Sequence, residues 1–238
     1  MDTTVRKIEL NWQKRISHED FDEERKFLVE NRGIYIWIFK GTPPRVTYVG
    51  ETDRFIDRFV QHFSNVLTGR FNTYAMNPED DFVNHLLIYC YNKRIDEIDK
   101  DKNKFYIPAK PENPDFKFTD TYFNEDLLKM HKIYLTNLDF AFATGNFMDN
   151  KVVRREVEGI LIRGLIELYS KDAKVELLES EIKGSRQIPI GRISNRPSQS
   201  YDIEHQYDSL KVQLPEDITK IRGYNYESKK IEYKNEVN

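Results

Sequence analysis

Cysteine is almost missing from this chain. Cys90 stands alone among 238 residues, so no internal disulfide can staple the fold. It lies in the apolar run HLLIYCYN and reads as a buried strand thiol rather than a reactive one. Long hydrophobic runs are missing too. No stretch of about 18 apolar residues occurs, so no membrane-spanning helix and no membrane partner are expected. The opening residues MDTTVRKIELNW lack the apolar segment of a secretory signal, and the expected compartment is the cytoplasm. Nor is there an excess of charge of one sign. The 37 Lys and Arg residues stand against 40 Asp and Glu, for a net charge of −3. That balance argues against a uniformly basic binder of nucleic acid but leaves room for local basic patches, which decide backbone binding. No repeat and no low-complexity tract is visible.

What is present is ordinary globular material. Apolar residues make up 39% and charged residues 32%. The 14 tyrosines and 15 phenylalanines fit a β-rich core. Residues 18–30, HEDFDEERKFLVE, predict a helix with acids at its start, where the helix dipole favours them. GIYIWIFK at 33–40 and RVTYVG at 45–50 predict two strands joined by the turn GTPP, hence a hairpin. A helix over roughly 53–67 follows, capped by Thr52 or Asp53. Its apolar residues Phe55, Ile56, Phe59, Val60 and Phe63 recur at helical spacing. Residues 84–91 predict a third strand. Residues 92–132 are charged and punctuated by proline, and read as an insertion projecting from the core. IYLTNLDFAFA at 133–143 returns to a strand pattern. Residues 149–170 form the clearest helix, capped by Asp149 or Asn150, with Val153, Val157, Ile160, Leu161, Leu165 and Leu168 as its apolar face. Beyond 171, short runs such as LKVQL and KIEYK suggest an irregular C-terminal extension with some strand. The expected organisation is a core over 1–170 interrupted near 92–132, then an extension over 171–238.

Four residues of one hairpin-helix unit, joined by a carboxylate from a later helix, suggest chemistry. Tyr35 and Tyr48 fall on paired strands and can approach one another. Arg54, Arg58 and His62 are spaced by four and lie near one helical face. The planar guanidinium of Arg58 suits a phosphate. Glu158 interrupts the apolar stretch VEGILI, where an isolated buried charge is expensive. It either pairs with Arg154 or Arg155 or holds a metal. Taken singly, the tyrosines read as hairpin packing, Arg58 as a solvated helix residue and His62 as structural. Taken together, they make a phosphodiesterase set.

The ordered set Gly33-Ile34-Tyr35, Tyr48-Val49-Gly50, Thr52, Phe55 and Arg58 resembles the GIY-YIG nuclease family, with Val49 in place of isoleucine. His62, four residues after the arginine, is similar to a histidine of several branches, including restriction-type members. Glu158-Gly-Ile-Leu-Ile-Arg163 is similar to the family's metal-holding glutamate helix. The resemblance spans residues 33–163. It departs in two places. The family's asparagine about twelve residues after the glutamate would fall at Ser170, leaving Asn195 in RISNRP as a substitute on a longer loop, and the span between the arginine and glutamate helices is unusually long.

The resemblance implies an α+β fold: a small mixed or antiparallel three-stranded central sheet flanked by helices, carrying the insertion and the C-terminal extension. It implies one Mg²⁺, or Mn²⁺, held by Glu158 with most of the ion's water retained. Catalytic roles are then expected for Tyr35 as general base, Tyr48 orienting water or phosphate, Arg58 on the scissile phosphate, His62 bonded to Tyr35, and Asn195. Tyrosine ionises near pH 10, so Tyr35 needs Arg58 or the metal beside it to act near neutrality. Arg186, Arg192 and Arg196, in a stretch poor in acids, are the expected DNA contacts. Lys104, Lys110 and Lys117 in the insertion, and Glu51 after the glycine, read as surface charges. The expected function is a site-specific, restriction-type endonuclease on double-stranded DNA, acting as a homodimer. The alternatives are a structure-specific repair or recombination nuclease and a catalytically silent DNA-binding module.

Overall fold

The structure is a computed structural model. It describes residues 5–40, 44–67, 135–136, 138–170 and 197–234. The chain enters as strand β1 (Val5–Ser17), a 3-10 turn (His18–Asp20) and a short helix α1 (Arg25–Glu30). The hairpin β2 (Gly33–Phe39) and β3 (Arg45–Thr52) runs into α2 (Phe55–Leu67). Then come β4 (Leu138–Thr144), the long helix α3 (Lys151–Ser170), β5 (Ser200–Gln206), α4 (Glu216–Lys220), β6 (Ile221–Asn225) and β7 (Lys230–Tyr233).

The seven strands among the described residues form one sheet in the order β3-β2-β4-β1-β5-β6-β7. Every pairing is antiparallel except β1 with β5. The sheet is mixed and strongly curled, a half-barrel. This corrects the expected small three-stranded central sheet: β3, β2 and β4 are adjacent, but β1 and three C-terminal strands continue the same sheet. The physical reason lies in the first 17 residues. Ile8, Leu10 and Trp12 alternate with exposed Lys7, Glu9 and Gln13, the period-two pattern of a half-buried strand. Asn11–Ser17 pairs with β4 and Val5–Asn11 with β5, so β1 bridges the two halves of the sheet. Where β4 has ended, the side chain of Asn146 takes over the β1 edge: its amide donates to the Lys7 carbonyl at 3.1 Å and its oxygen accepts from Glu9 N–H at 3.2 Å.

At the β2–β4 end both faces of the sheet are covered. Ile34, Ile36, Ile38, Ala141 and Ala143 face α3, which lays Val153, Val157, Ile160, Leu161 and Leu165 against them. Tyr35, Trp37, Phe140 and Phe142 face the opposite way, toward Leu28 of α1 and Phe55 and Phe59 of α2. Strand β2 therefore reads as continuous apolar sequence because neither of its faces meets water. Val60, expected on the apolar face of α2, is instead exposed. The predicted helix over 18–30 is shorter than expected. Ser17 caps the 3-10 turn in a capping box with Asp20, and α-helix resumes at Arg25. Asn150 caps α3, its Oδ1 accepting from Val152 and Val153 N–H at 3.1 and 3.2 Å.

The C-terminal segment joins the main core. Tyr201, Ile203, Ile218, Ile221, Tyr224 and Ile231 share one cluster with α3. Gly164 lies so close to β6 that a Cβ there would sit 2.6 Å from Ile221 Cδ1. LKVQL, predicted as a short extended run, is a turn with Leu210 in solvent, whereas KIEYK supplies β7. Cys90, the strand expected at 84–91, and the insertion at 92–132 lie outside the described residues.

Candidate active site

The hairpin brings the two tyrosines together by register. Tyr35 stands opposite Gly50, and Trp37 opposite Tyr48, so all these positions share the face that α2 covers. The Tyr35 ring lies across the place a Gly50 side chain would fill: a Cβ there would be 2.3 Å from the Tyr35 hydroxyl oxygen. The tyrosine rings stack with centroids 5.9 Å apart, and their hydroxyls are hydrogen-bonded. Helix α2 then supplies His62, whose Nε2 is 2.7 Å from the Tyr35 hydroxyl. A hydroxyl-hydroxyl-imidazole chain results, with half-buried Tyr48 at its outer end and fully buried Tyr35 in its middle.

Electrostatics define the state of that chain. Burial pushes the Tyr35 phenol well above its ordinary value, reinforced by Tyr48; the positive charge of Arg58 offsets this only in part. Tyr48 is raised too, again by burial first. His62 is pushed down to about 4 by burial and then by Arg58. At neutral pH both tyrosines are therefore protonated and His62 is an uncharged ring, able to accept the Tyr35 proton at Nε2. Arg58 is half-buried, donates to the Gln61 side chain, and exerts its charge on Tyr35, Tyr48, His62 and Glu158 alike. Arg54, one turn earlier, is exposed and paired with Asp57 at 2.7 Å, apart from the cluster.

Glu158 arrives from the other face of the sheet. It sits on α3, and its Oε1 accepts the backbone N–H of Glu51 at 3.2 Å. Because β3 is an edge strand, Glu158 can reach over it toward the tyrosine face. Burial lifts its carboxyl to about 7, helped by the neighbouring Glu51 charge and opposed by the Glu51 N–H, Arg58 and Arg155. Arg154 and Arg155, the cations expected beside Glu158, turn instead to the Glu51 carboxylate, with Nε at 3.2 and 3.4 Å. Glu51, read as a surface charge, is 12% exposed and has each carboxylate oxygen held by an arginine of α3. The signal for this was in the sequence. Arg154 is three residues before Val157 and seven before Leu161, and so falls on the apolar face of α3. A cation there must find buried acceptors.

The donor set suits a hard divalent ion only modestly. Among the described residues there is no group of three or more His, Cys, Asp or Glu side chains placed to hold a metal. Of the two neighbouring carboxylates, Glu51 is engaged by Arg154 and Arg155, whereas Glu158 keeps Oε2 free of hydrogen bonds among the described residues and has a burial cost that a cation would offset. That fits an ion such as Mg²⁺ or Mn²⁺ which keeps most of its water. Asn195, Arg186, Arg192 and Arg196 lie outside the described residues. Tyr35, Tyr48, Arg58, His62 and Glu158 converge on one site. No helix among the described residues is long and apolar enough to cross a membrane. No protein-family model matches the chain, and neither does any curated protein or solved structure.

Proposed function

We propose that this protein is a metal-dependent endonuclease of GIY-YIG type that hydrolyses phosphodiester bonds of double-stranded DNA, most simply a site-specific restriction-type enzyme. One observation carries the reading. Residues 35, 48, 58, 62 and 158, separated by up to 123 positions (158 minus 35), meet around one half-exposed tyrosine, and they are the residue types that phosphodiester hydrolysis needs.

Mg²⁺ bound at Glu158 would supply positive charge to the phosphate and lower the pKa of a bound water. The chain's own residues do the rest. Arg58 binds the scissile phosphate and offsets the charge that grows on its oxygens. Tyr48, the member open to solvent, orients the attacking water. As water attacks phosphorus, its proton passes to Tyr48 while Tyr48 hands its own to Tyr35 and Tyr35 hands its own to neutral His62. Tyr35 thus acts within a relay, since burial rules against a standing phenolate. Each site cuts one strand, so a double-strand break calls for a homodimer or two successive nicks.

The test is cleavage of supercoiled plasmid and of phage DNA with Mg²⁺ or with EDTA, comparing wild type, Glu158→Ala and Tyr35→Phe. Discrete Mg²⁺-dependent fragments that both variants abolish, with DNA binding retained, are expected. Activity confined to branched DNA would favour a repair or recombination nuclease. DNA binding without cleavage of any substrate would favour a silent binding module.

A further inference from the structure

The first five residues of α3, KVVRR, carry Lys151, Arg154 and Arg155 and no acid. Cations are unfavourable at a helix N-terminus, where the dipole is positive, so their presence there calls for other compensation. The compensation comes from Glu51 at the end of β3 and Asp53 just beyond it. Lys151 Nζ is 3.0 Å from Asp53 Oδ2, and Arg155 Nε is 3.4 Å from Glu51 Oε1. Arg154 is the centre of the set, with its side chain 1% exposed. Its Nε lies 3.2 Å from Glu51 Oε2, one terminal nitrogen pairs with Asp53, and the other donates to the Met148 carbonyl. A buried guanidinium is tolerated only with its donors satisfied, and these three acceptors come from two separate segments.

Glu51 makes a second connection. Its carboxylate is gripped by α3, while its backbone N–H donates back to Glu158 of the same helix, one turn beyond Arg154. The two links run in opposite senses between the same two elements. Together they fix where the Glu158 carboxylate stands relative to Tyr48, which lies on the strand that Glu51 continues.

We propose that Arg154 is the positioning residue of the metal-binding carboxylate: by clamping Glu51 and Asp53 against α3 it keeps the Glu51 N–H on Glu158 Oε1 and holds Glu158 over the β3 edge. The inference rests on the reading of Glu158 as metal ligand. Loss of such outer partners typically costs 10- to 100-fold in metal affinity or activity.

The sign of the effect separates positioning from charge. Replacing Arg154 by neutral methionine removes a positive charge near a cation site. By Coulomb attraction alone, divalent ions would then bind more tightly. A lost clamp makes them bind more weakly. The experiment is Mn²⁺ titration of the full chain without DNA, followed by the free-Mn²⁺ electron paramagnetic resonance signal, for wild type, Arg154→Met, Arg154→Lys and Glu158→Gln. The expected result is Mn²⁺ binding about tenfold weaker or more in Arg154→Met, with far-UV circular dichroism unchanged. Should Arg154→Met fail to fold, Arg154→Lys decides. It keeps the charge but cannot bridge three acceptors, and is expected to weaken Mn²⁺ binding severalfold. Tighter or unchanged binding in the folded methionine variant, or wild-type binding in the lysine variant, overturns the proposal while leaving Glu158 as ligand. Wild-type Mn²⁺ affinity in Glu158→Gln overturns the metal reading itself and the positioning role with it. In plasmid cleavage, Arg154→Lys is expected to lower kcat and leave the KM for DNA unchanged.

Discussion

Gly50 gives its space to the Tyr35 ring. The Tyr35 ring occupies the volume of the missing side chain, so Gly50→Ala must push the hydroxyl away from His62. We expect a destabilisation of about 1–3 kcal/mol, the usual cost of an overpacked core, with cleavage lost beyond what that stability change explains. Urea denaturation and plasmid cleavage check this. Glu158 poses the opposite case. Its carboxyl titrates near 7 in the fold against 4.5 unfolded, so the fold disfavours the ionised form. That penalty is absent below the unfolded pKa, grows through the interval and is complete above about 7. Without metal at pH 8, Glu158→Gln is therefore expected to be more stable than wild type by about 1–2 kcal/mol while losing cleavage. Equal or lower stability in urea would show that the carboxylate carries no such cost.

Among the elements, two histidines tie separate elements together. His62 ties α2 to β2 through Tyr35. His205 ties β5 to its neighbours: Nδ1 accepts from the Trp12 indole N–H at 3.1 Å, and Nε2 donates to the Ile221 carbonyl at 2.9 Å. Burial is the chief cause that holds both near pKa 4. The neutral rings are the ones the fold accepts. Stability is thus full above the unfolded value of 6.5 and is lost as pH falls from there toward 4. For His62 the loss is on the order of 2–3 kcal/mol. Urea midpoints between pH 7 and 4 should fall steeply, and the imidazole NMR resonances should remain those of neutral rings at pH 6. Trp12→Phe removes the donor to His205 Nδ1 and should cost about 1–3 kcal/mol, the price of one orphaned buried acceptor.

For the whole molecule, the C-terminal strands decide integrity. β5 pairs with the N-terminal strand, and Ile221 packs against Gly164 of the helix that carries Glu158. A chain ending at residue 196 would leave one edge of β1 and part of the α3 face exposed. It is expected to lose cooperative unfolding altogether, which calorimetry would show. A truncated chain that melts cooperatively near the wild-type temperature would mean that these strands are an accessory layer.

Local patterns carried much of the site. GIYIWIF and RVTYVG pair as a hairpin because β-branched and aromatic residues stand on either side of the sequence GTPP, and the 3.6-residue period of α2 and α3 is visible without coordinates. Tyr35, Tyr48, Arg58 and His62 lie within 28 consecutive residues (62 minus 35, counting both ends), so short-range geometry nearly suffices to join them. The partners of β1 could not be read in this way. Its alternation was present in the sequence, but a strand's pattern names a buried face and not a neighbour, and its neighbours are residues 138–144 and 200–206. The same holds for Glu51. Sequence shows an acid after a glycine; only the packing of α3 against the edge strand turns it into the link between a buried arginine and Glu158. Sequence by itself determined which polar side chains stand close together along the hairpin and α2. Tertiary structure decided their protonation states and mutual grip, because both depend on which groups are removed from water together.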